Sequence, residues 1–276
     1  MMATVRARRC TGRVLPGWQA ALLVVEGRWI WYRRNWRATV ISSLLQPLLF
    51  LAAFGVGLGA LIDSGSLAGQ ITGGVSYLDY LAPALLAVGA VQSAAFESTY
   101  PILSAFKWQR TYWSVTATPI TPDQLACGQL AWIALRLTLS GAAYLLVIAL
   151  FGAVQGPGVL AALVFAVLCG MAFSAPLVAF AAAQDNEGNR FAAVFRFVVV
   201  PMTLFSGTFF PISQLPDVIR PLAWISPLWH GTELARGAAL GRWELWSAVG
   251  HTAYLVALLV VGVLLSVRQF RVRLTQ

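Results

Sequence analysis

Six apolar stretches of about 18–25 residues, nearly free of charge, succeed one another along the chain, and no water-soluble core accommodates so many. They lie near residues 38–58, 77–100, 124–151, 159–183, 191–210 and 247–267. Each is long enough to cross a hydrocarbon layer as a helix. They are continuously apolar and do not alternate with period two, which excludes barrel strands. Composition agrees: 59% of the 276 residues are hydrophobic and 11% charged, with a mean hydropathy of +0.74. The expected fold class is an all-α membrane protein with six transmembrane helices. A disordered basic tail over 1–16 would precede a single membrane domain over 17–276.

Charge placement orients the spans. Lys and Arg total 19, and 14 of them fall on one side of the layout: Arg6, Arg8, Arg9, Arg13, Arg28, Arg33, Arg34, Arg37, Lys107, Arg110, Arg190, Arg268, Arg271 and Arg273. The opposite loops hold Arg220, Arg236 and Arg242, offset by nearby acids. By the positive-inside rule both termini are cytoplasmic, and an even number of spans is consistent with that. The net charge of +9 is thus mainly a topology signal, and no globular basic face exists to bind nucleic acid. Tryptophans other than Trp132 fall in interfacial or loop segments, as an aromatic belt does.

Before the first span, Trp18, Leu22, Val25, Trp29, Tyr32 and Trp36 recur every three or four residues. At about 100° per residue they form one stripe, so an interfacial helix over 17–37 is expected on the cytoplasmic leaflet. The apolar stretch 18–25 ends at Glu26 with no small-residue cleavage site, unlike a removed signal peptide.

Catalytic and metal-binding patterns are missing from the sequence. Cys10, Cys127 and Cys169 show no CxxC spacing, and His230 and His251 are far apart in sequence. No HExxH, GxSxG or Walker GxxxxGK[ST] run is present. Work against a gradient would therefore draw on another chain or on an ion.

Two loops carry more pattern than a connection needs. Residues 107–123 mix charged, aromatic and small residues and end in Thr121-Pro122-Asp123, a helix-start signal. A short amphipathic helix there would present Tyr112, Trp113 and Val115 to a cytoplasmic partner. Between the fifth and sixth spans, Pro211, Pro216, Pro221 and Pro227 punctuate two short helices, near 214–225 and 227–240, with Gly241 as the stop. Leu215, Ile219, Leu222 and Ile225 would give the first an apolar face dipping into the outer leaflet.

Within the membrane, Arg136 and Glu97 stand out. An unpaired charge there costs roughly 2.5–3.5 kcal/mol on insertion scales. A structural ion pair between them and a polar patch touching substrate head groups are both open readings. Arg196 is read as snorkelling to the cytoplasmic interface, and Asp63 and Asp79 as solvated at the outer edge. Gly55, Gly57 and Gly59 fit close helix packing or a loosened helix end. His230 reads as a head-group-level hydrogen bonder. Phe205, Ser206, Gly207, Phe209 and Phe210 fit a substrate gate or ordinary dimer packing.

Several of these segments carry a family resemblance. Tyr80-Leu81-Ala82-Pro83-Ala84-Leu85-Leu86 resembles the opening of span two in type-2 ABC exporter permeases. Phe205-Ser206-Gly207-Thr208-Phe209-Phe210-Pro211-Ile212-Ser213-Gln214-Leu215-Pro216 resembles the end of their span five. Pro227-Leu228-Trp229-His230, then Glu233-Leu234-Ala235-Arg236-Gly237, is similar to the next outer element. Phe96-Glu97-Ser98-Thr99-Tyr100 and Gln109-Arg110-Thr111 most resemble the branch with nodulation lipo-oligosaccharide and daunorubicin-type drug exporters.

The resemblance implies an interfacial helix, six spans, a cytoplasmic coupling helix (Arg110, Thr111, Tyr112, Trp113, Val115) and re-entrant outer helices (Pro211, Pro216, His230). It implies a second permease protomer, as homodimer or paralogous heterodimer, and a cytoplasmic ABC ATPase subunit in two copies. ATP and Mg would be held by that subunit, with no cofactor or metal on this chain and no catalysis by it. The implied setting is a bacterial cytoplasmic membrane, with lipids around the spans. The implied cargo is an amphipathic lipid, glycolipid or drug moved outward; alternatives are a lipid-linked polysaccharide or, in a different class, an ion-coupled transporter or channel. Relatives carry more charge after the Arg-Thr step, whereas 113–118 here is almost neutral.

Overall fold

The computed structural model describes residues 16–63, 74–152, 156–184 and 188–275. The expected tail falls almost entirely outside the described residues, as do Cys10 and the side chain of Asp63. All regular structure among the described residues is helical. Helix α1 (Gly17–Phe50) runs unbroken into a π segment (Leu51–Leu58) and α2 (Gly59–Asp63). Then come α3 (Tyr77–Glu97), α4 (Tyr100–Lys107), α5 (Thr111–Thr116), α6 (Pro122–Leu150) and α7 (Gly158–Ala182). The chain continues through α8 (Asn189–Val194), a second π segment (Phe195–Val199), α9 (Val200–Phe205), α10 (Arg220–Ile225), α11 (Pro227–Leu240) and α12 (Leu245–Leu274).

Among the described residues four helical stretches are long and apolar enough to cross a membrane: Tyr77–Lys107, Pro122–Leu150, Gly158–Ala182 and Leu245–Leu274. The other two stretches expected to cross, 38–58 and 191–210, are each interrupted by a π segment. A π turn inserts a residue and re-aims the face beyond it. Helix does not continue to 210: it stops at Phe205, and residues 206–210 are irregular.

The expected helix over 17–37 is not a separate element. No Pro or Gly lies between Gly27 and Pro47 to end it, and one helix runs through. Its packing face meets the aromatic stripe only along the edge that holds Val25 and Tyr32. Ala20 and Tyr32 are buried, with Ala21, Val24 and Arg28 half-buried, on the flank that meets α6. A Cβ on Gly128 of α6 would sit 2.7 Å from Val24 Cβ, so the two helices touch at that glycine. Trp18, Leu22, Trp29 and Trp36 stay exposed, as lipid-facing side chains do.

Local signals fix several boundaries. Thr121 and Gln124 form a reciprocal capping box at the start of α6: Thr121 Oγ1 accepts from Gln124 N (3.3 Å), and Gln124 Oε1 from Thr121 N (2.9 Å). Gly241 ends α11 in the left-handed conformation. The span-two helix breaks after Glu97, where Ser98 Oγ meets Ser174 Oγ at 2.6 Å and Thr99 Oγ1 donates to Ala95 O (2.9 Å). Hydroxyls there take over bonds that the helix gives up.

Helix α7 is the hub. It packs against α3, α6, α11 and α12, and its contact with α12 is the most extensive in the molecule. Ala162, Ala166, Cys169, Gly170, Ala172, Ser174, Ala175, Ala181 and Ala182 are buried along it. Small side chains let backbones approach closely, which is how helices associate where lipid is as apolar as protein. At the α12 contact a Cβ on Gly262 would lie 2.5 Å from Pro176 Cδ and 2.7 Å from Ala175 Cβ. Gly262→Ala should therefore lower stability by about 1–3 kcal/mol, as overpacking does. Val261→Ala, on the exposed flank, should leave it nearly unchanged; thermal unfolding in detergent measures both.

Candidate transport site

Arg28, Lys107, Arg110, Arg271 and Arg273 gather at one end of the bundle. There α4 ends at Lys107, and Arg110 takes a left-handed backbone (φ 51°, ψ 25°) that turns the chain into α5. For a residue with a Cβ this conformation costs about 1–2 kcal/mol, so the surroundings must hold it. They do so through Tyr112. Its ring packs edge-on against Phe106 (centroids 4.7 Å) and tilted against Phe270 (5.3 Å), and Arg28 Nη2 donates to its hydroxyl (3.3 Å). Burial pushes the Tyr112 phenol up to about 12, so it stays neutral.

The expectation that Tyr112 faces a partner is corrected: it is 2% exposed. A six-residue helix has one inward side, and Tyr112 takes it because the Phe106–Phe270 pair offers an aromatic socket. Trp113 faces out, as do Arg110 and Thr111, while Val115 is half-buried. Phe106, Lys107, Arg110 and Trp113 border an open groove. The last turn of α12 fastens the base of this end. Arg271 makes a bidentate pair with Asp123 (3.1 and 2.5 Å), and Arg273 donates to Ala182 O (2.6 Å) and Gln184 O (2.8 Å).

One layer deeper, Arg136 Nη2 lies 3.0 Å from Glu97 Oε1, with both side chains largely buried. The guanidinium also sits over the Tyr32 ring at 4.9 Å, and Tyr32 meets Trp132 edge-on at 5.8 Å. The pair therefore joins α1, α3 and α6. Arg196 is exposed, on the second π segment.

At the opposite end the irregular segment 206–210 is held by side chains from two helices. Gly207 has φ 74°, a conformation that glycine adopts freely. Arg236 of α11 donates from Nη2 to Gly207 O (2.9 Å) and from Nε to Tyr80 O (3.3 Å), and pairs with Glu233 (3.0 Å). It also stacks over the Tyr80 ring at 3.8 Å. Thr232 Oγ1 donates to Ser206 O (3.2 Å), Tyr77 OH donates to Phe209 O (3.1 Å), and the Ser206 and Ser226 hydroxyls meet at 2.6 Å.

Phe209 packs on Phe54 (5.2 Å) and Phe50 (6.2 Å) from the first-span helix. Phe210 and Pro211 are half-buried, and Phe205 and Pro216 are exposed. Of the apolar face expected at 215–225, only Leu215 is buried. His230 is buried beside His251. Among the described residues no cluster of three or more His, Cys, Asp or Glu is placed to hold a metal.

Sequence reasoning missed Arg236, Tyr77, Tyr80 and Thr232 as the holders of this segment, and Tyr32 as the roof of Arg136. A signal for Arg236 existed: an arginine on the side poor in positive charge has some reason other than topology to be there.

The Glu97–Arg136 pair makes a direct prediction. Arg136→Met leaves a buried carboxylate alone and should cost about 3–5 kcal/mol. Adding Glu97→Leu to it should recover most of the loss, in a double-mutant cycle read by thermal unfolding in detergent.

Comparison with known proteins places this architecture. Residues 19–240 match the ABC-2 type transporter family. Nodulation protein J of Sinorhizobium fredii is 34% identical over 232 residues, 80% of this chain and 86% of that protein. Nodulation protein J of Rhizobium leguminosarum bv. trifolii is 32% identical over 250 residues, 88% of this chain and 92% of its own. That of Rhizobium meliloti is 31% identical over 256 residues, 89% and 94% of the two chains. A family match across most of the chain, with relatives aligned nearly end to end, is decisive: the chain belongs to the ABC-2 type transporter family and is a membrane permease.

Proposed function

We propose that this permease is the transmembrane subunit of an ATP-driven exporter that moves an amphipathic lipid, glycolipid or drug out of a bacterial cytoplasmic membrane. The observation that carries the reading is the groove of Phe106, Lys107, Arg110 and Trp113, open on the outside and tied on the inside to α1 and α12 through Tyr112. Six spans with both termini in the cytoplasm put this groove on the cytoplasmic face. The family implies a separate ABC ATPase, which supplies ATP and Mg chemistry and seats on that groove in two copies. Two permease protomers, alike or paralogous, face each other around the pathway.

Force from the ATPase enters at Arg110, Thr111 and Trp113 and passes inward through Tyr112 to Arg28 on α1. From α1 it reaches the opposite end, where Phe50 and Phe54 press on Phe209. The segment 205–210 is the outer gate, held shut by Arg236 and Tyr77. Its aromatic and small residues suit acyl chains or flat apolar rings. Glu97 and Arg136 stiffen the link between α1, α3 and α6 and do not form a substrate patch, since each already holds the other. The resemblance of 96–100 and 109–111 to the branch with nodulation lipo-oligosaccharide exporters favours a glycolipid-like cargo in particular.

Affinity purification of the tagged chain from its own membranes, in mild detergent, tests the reading. The expected outcome is a stoichiometric subunit carrying a Walker motif, depleted more than about tenfold by Arg110→Ala with Trp113→Ala. That loss corresponds to roughly 1.4 kcal/mol or more of interface energy. Tyr112→Phe, which keeps the buried ring, should retain the partner. Absence of any nucleotide-binding subunit while the permease oligomer stays intact would sink the proposal.

A further inference from the structure

The only two histidines of the chain, 21 positions apart in sequence, meet across the contact between α11 and α12. His230 Nδ1 and His251 Nδ1 are 2.6 Å apart, and His230 Nε2 lies 2.9 Å from the Trp224 carbonyl oxygen. Trp229 closes edge-on against both rings (centroids 4.8 Å each), and Tyr254 stacks on His230 at 4.0 Å. The Tyr254 hydroxyl donates to the Ile225 carbonyl. Of these residues Trp229 also adjoins Gly207, while among the described residues the two histidines bond only each other and the Trp224 carbonyl.

Proton positions follow from the acceptors. A carbonyl only accepts, so His230 Nε2 carries a hydrogen, and in the neutral ring His230 Nδ1 is then an acceptor. His251 Nδ1 must donate to it, leaving His251 Nε2 free to take a proton. That first proton makes His251 a cation donating to a neutral acceptor, which strengthens the bond. A second proton would place N–H on both nitrogens at 2.6 Å, and the bond becomes a repulsion between two cations.

We propose that His230 and His251 form a one-proton latch between the outer helix α11 and the last span helix α12: the pair keeps its bond with zero or one added proton and parts with two. The surrounding charges leave it to act alone. On α11, Glu233 is bonded to Arg236; before α10, Asp217 is bonded to Arg220 (2.6 Å). On α7 the Cys169 thiol donates to Pro227 O (3.3 Å), on α3 Tyr77 and Tyr80 lie toward Arg236, and on α12 Tyr254 is engaged as above, with Glu244 at the helix start. Among the described residues no carboxylate bonds either ring. Burial, and then the charge of His251, hold His230 below the usual histidine range. Depression means the folded state binds fewer protons than the unfolded one. The stability that this depression concerns is fully present above about pH 6.5 and is lost as pH falls through the lowered value of His230, where the second proton enters and the latch parts.

With two histidines in all, ring-15N-histidine NMR of the whole chain in lipid nanodiscs sees this pair and nothing else. Titrated from about pH 7.5 to 4.5, around the ordinary value near 6.5, the chain should take up one proton with the inter-ring hydrogen bond retained. The second should enter only in stronger acid, together with loss of hydrogen-exchange protection over 224–230, after correction for intrinsic rates. In His251→Gln, His230 should titrate as a single group, and acid should bring no further loss of protection. Two independent titrations near the ordinary value, or protection unchanged once both rings are charged, would overturn the latch. Neither readout depends on the exporter reading, so one can fail while the other stands.

Discussion

Everything in this fold leans on the closeness with which one helix can be approached. Helix α7 is lined by alanine, glycine, serine and cysteine, so four helices reach its backbone at once. In a membrane the hydrophobic effect does not press helices together, and short-range dispersion at fitted surfaces must do so. A helix made of leucine would be equally apolar and would hold its neighbours at arm's length. The hub also places both ends of the machinery. Its C-terminal carbonyls receive Arg273, and its Cys169 receives the start of α11.

The two ends are built differently. At the basic end, aromatic rings interlock around Tyr112, and cations bridge separate helices. That is a stiff joint, able to carry a push. At the other end, a stretch of irregular backbone is held by single hydrogen bonds from Arg236, Thr232 and Tyr77. Hydrogen bonds of this kind contribute only about 0.5–1.5 kcal/mol each, more where a charge takes part. The π segments, Leu51–Leu58 and Phe195–Val199, lie in the two apolar stretches that meet this irregular backbone.

What the sequence disclosed follows a physical divide. Helices α6, α7 and α12 were legible because length and apolar content decide them, and the Thr121 cap and Gly241 stop are local chemistry. Packing faces were not. With lipid on one side and protein on the other, both flanks of a span are apolar, and periodicity loses the contrast that it has in water. The stripe from Trp18 to Trp36 was read as one face, but the adjoining flank does the packing and takes Tyr32 from the stripe. Tyr112 lies on a helix too short to have a period, so its inward turn depends on Phe270, over 150 residues away. The break after Glu97 rests on a hydroxyl contact with Ser174, and the histidine pair on the meeting of two helices; neither leaves any trace in spacing. Arg236 was present in the family motif, but its role as a holder of Gly207 and Tyr80 appears only in three dimensions.

The last turn of α12 has a bearing on biogenesis. Phe270 is fully buried against Phe106 and Tyr112, and Arg271 and Arg273 tie down the start of α6 and the end of α7. These residues lie at the end of the last described helix, so a ribosome adds them after all the other described helices have been made. Until then Tyr112 lacks half of its socket, and the surface beside it stays unformed. The order of synthesis thus withholds the finished aromatic socket from any chain that has not been translated past Phe270.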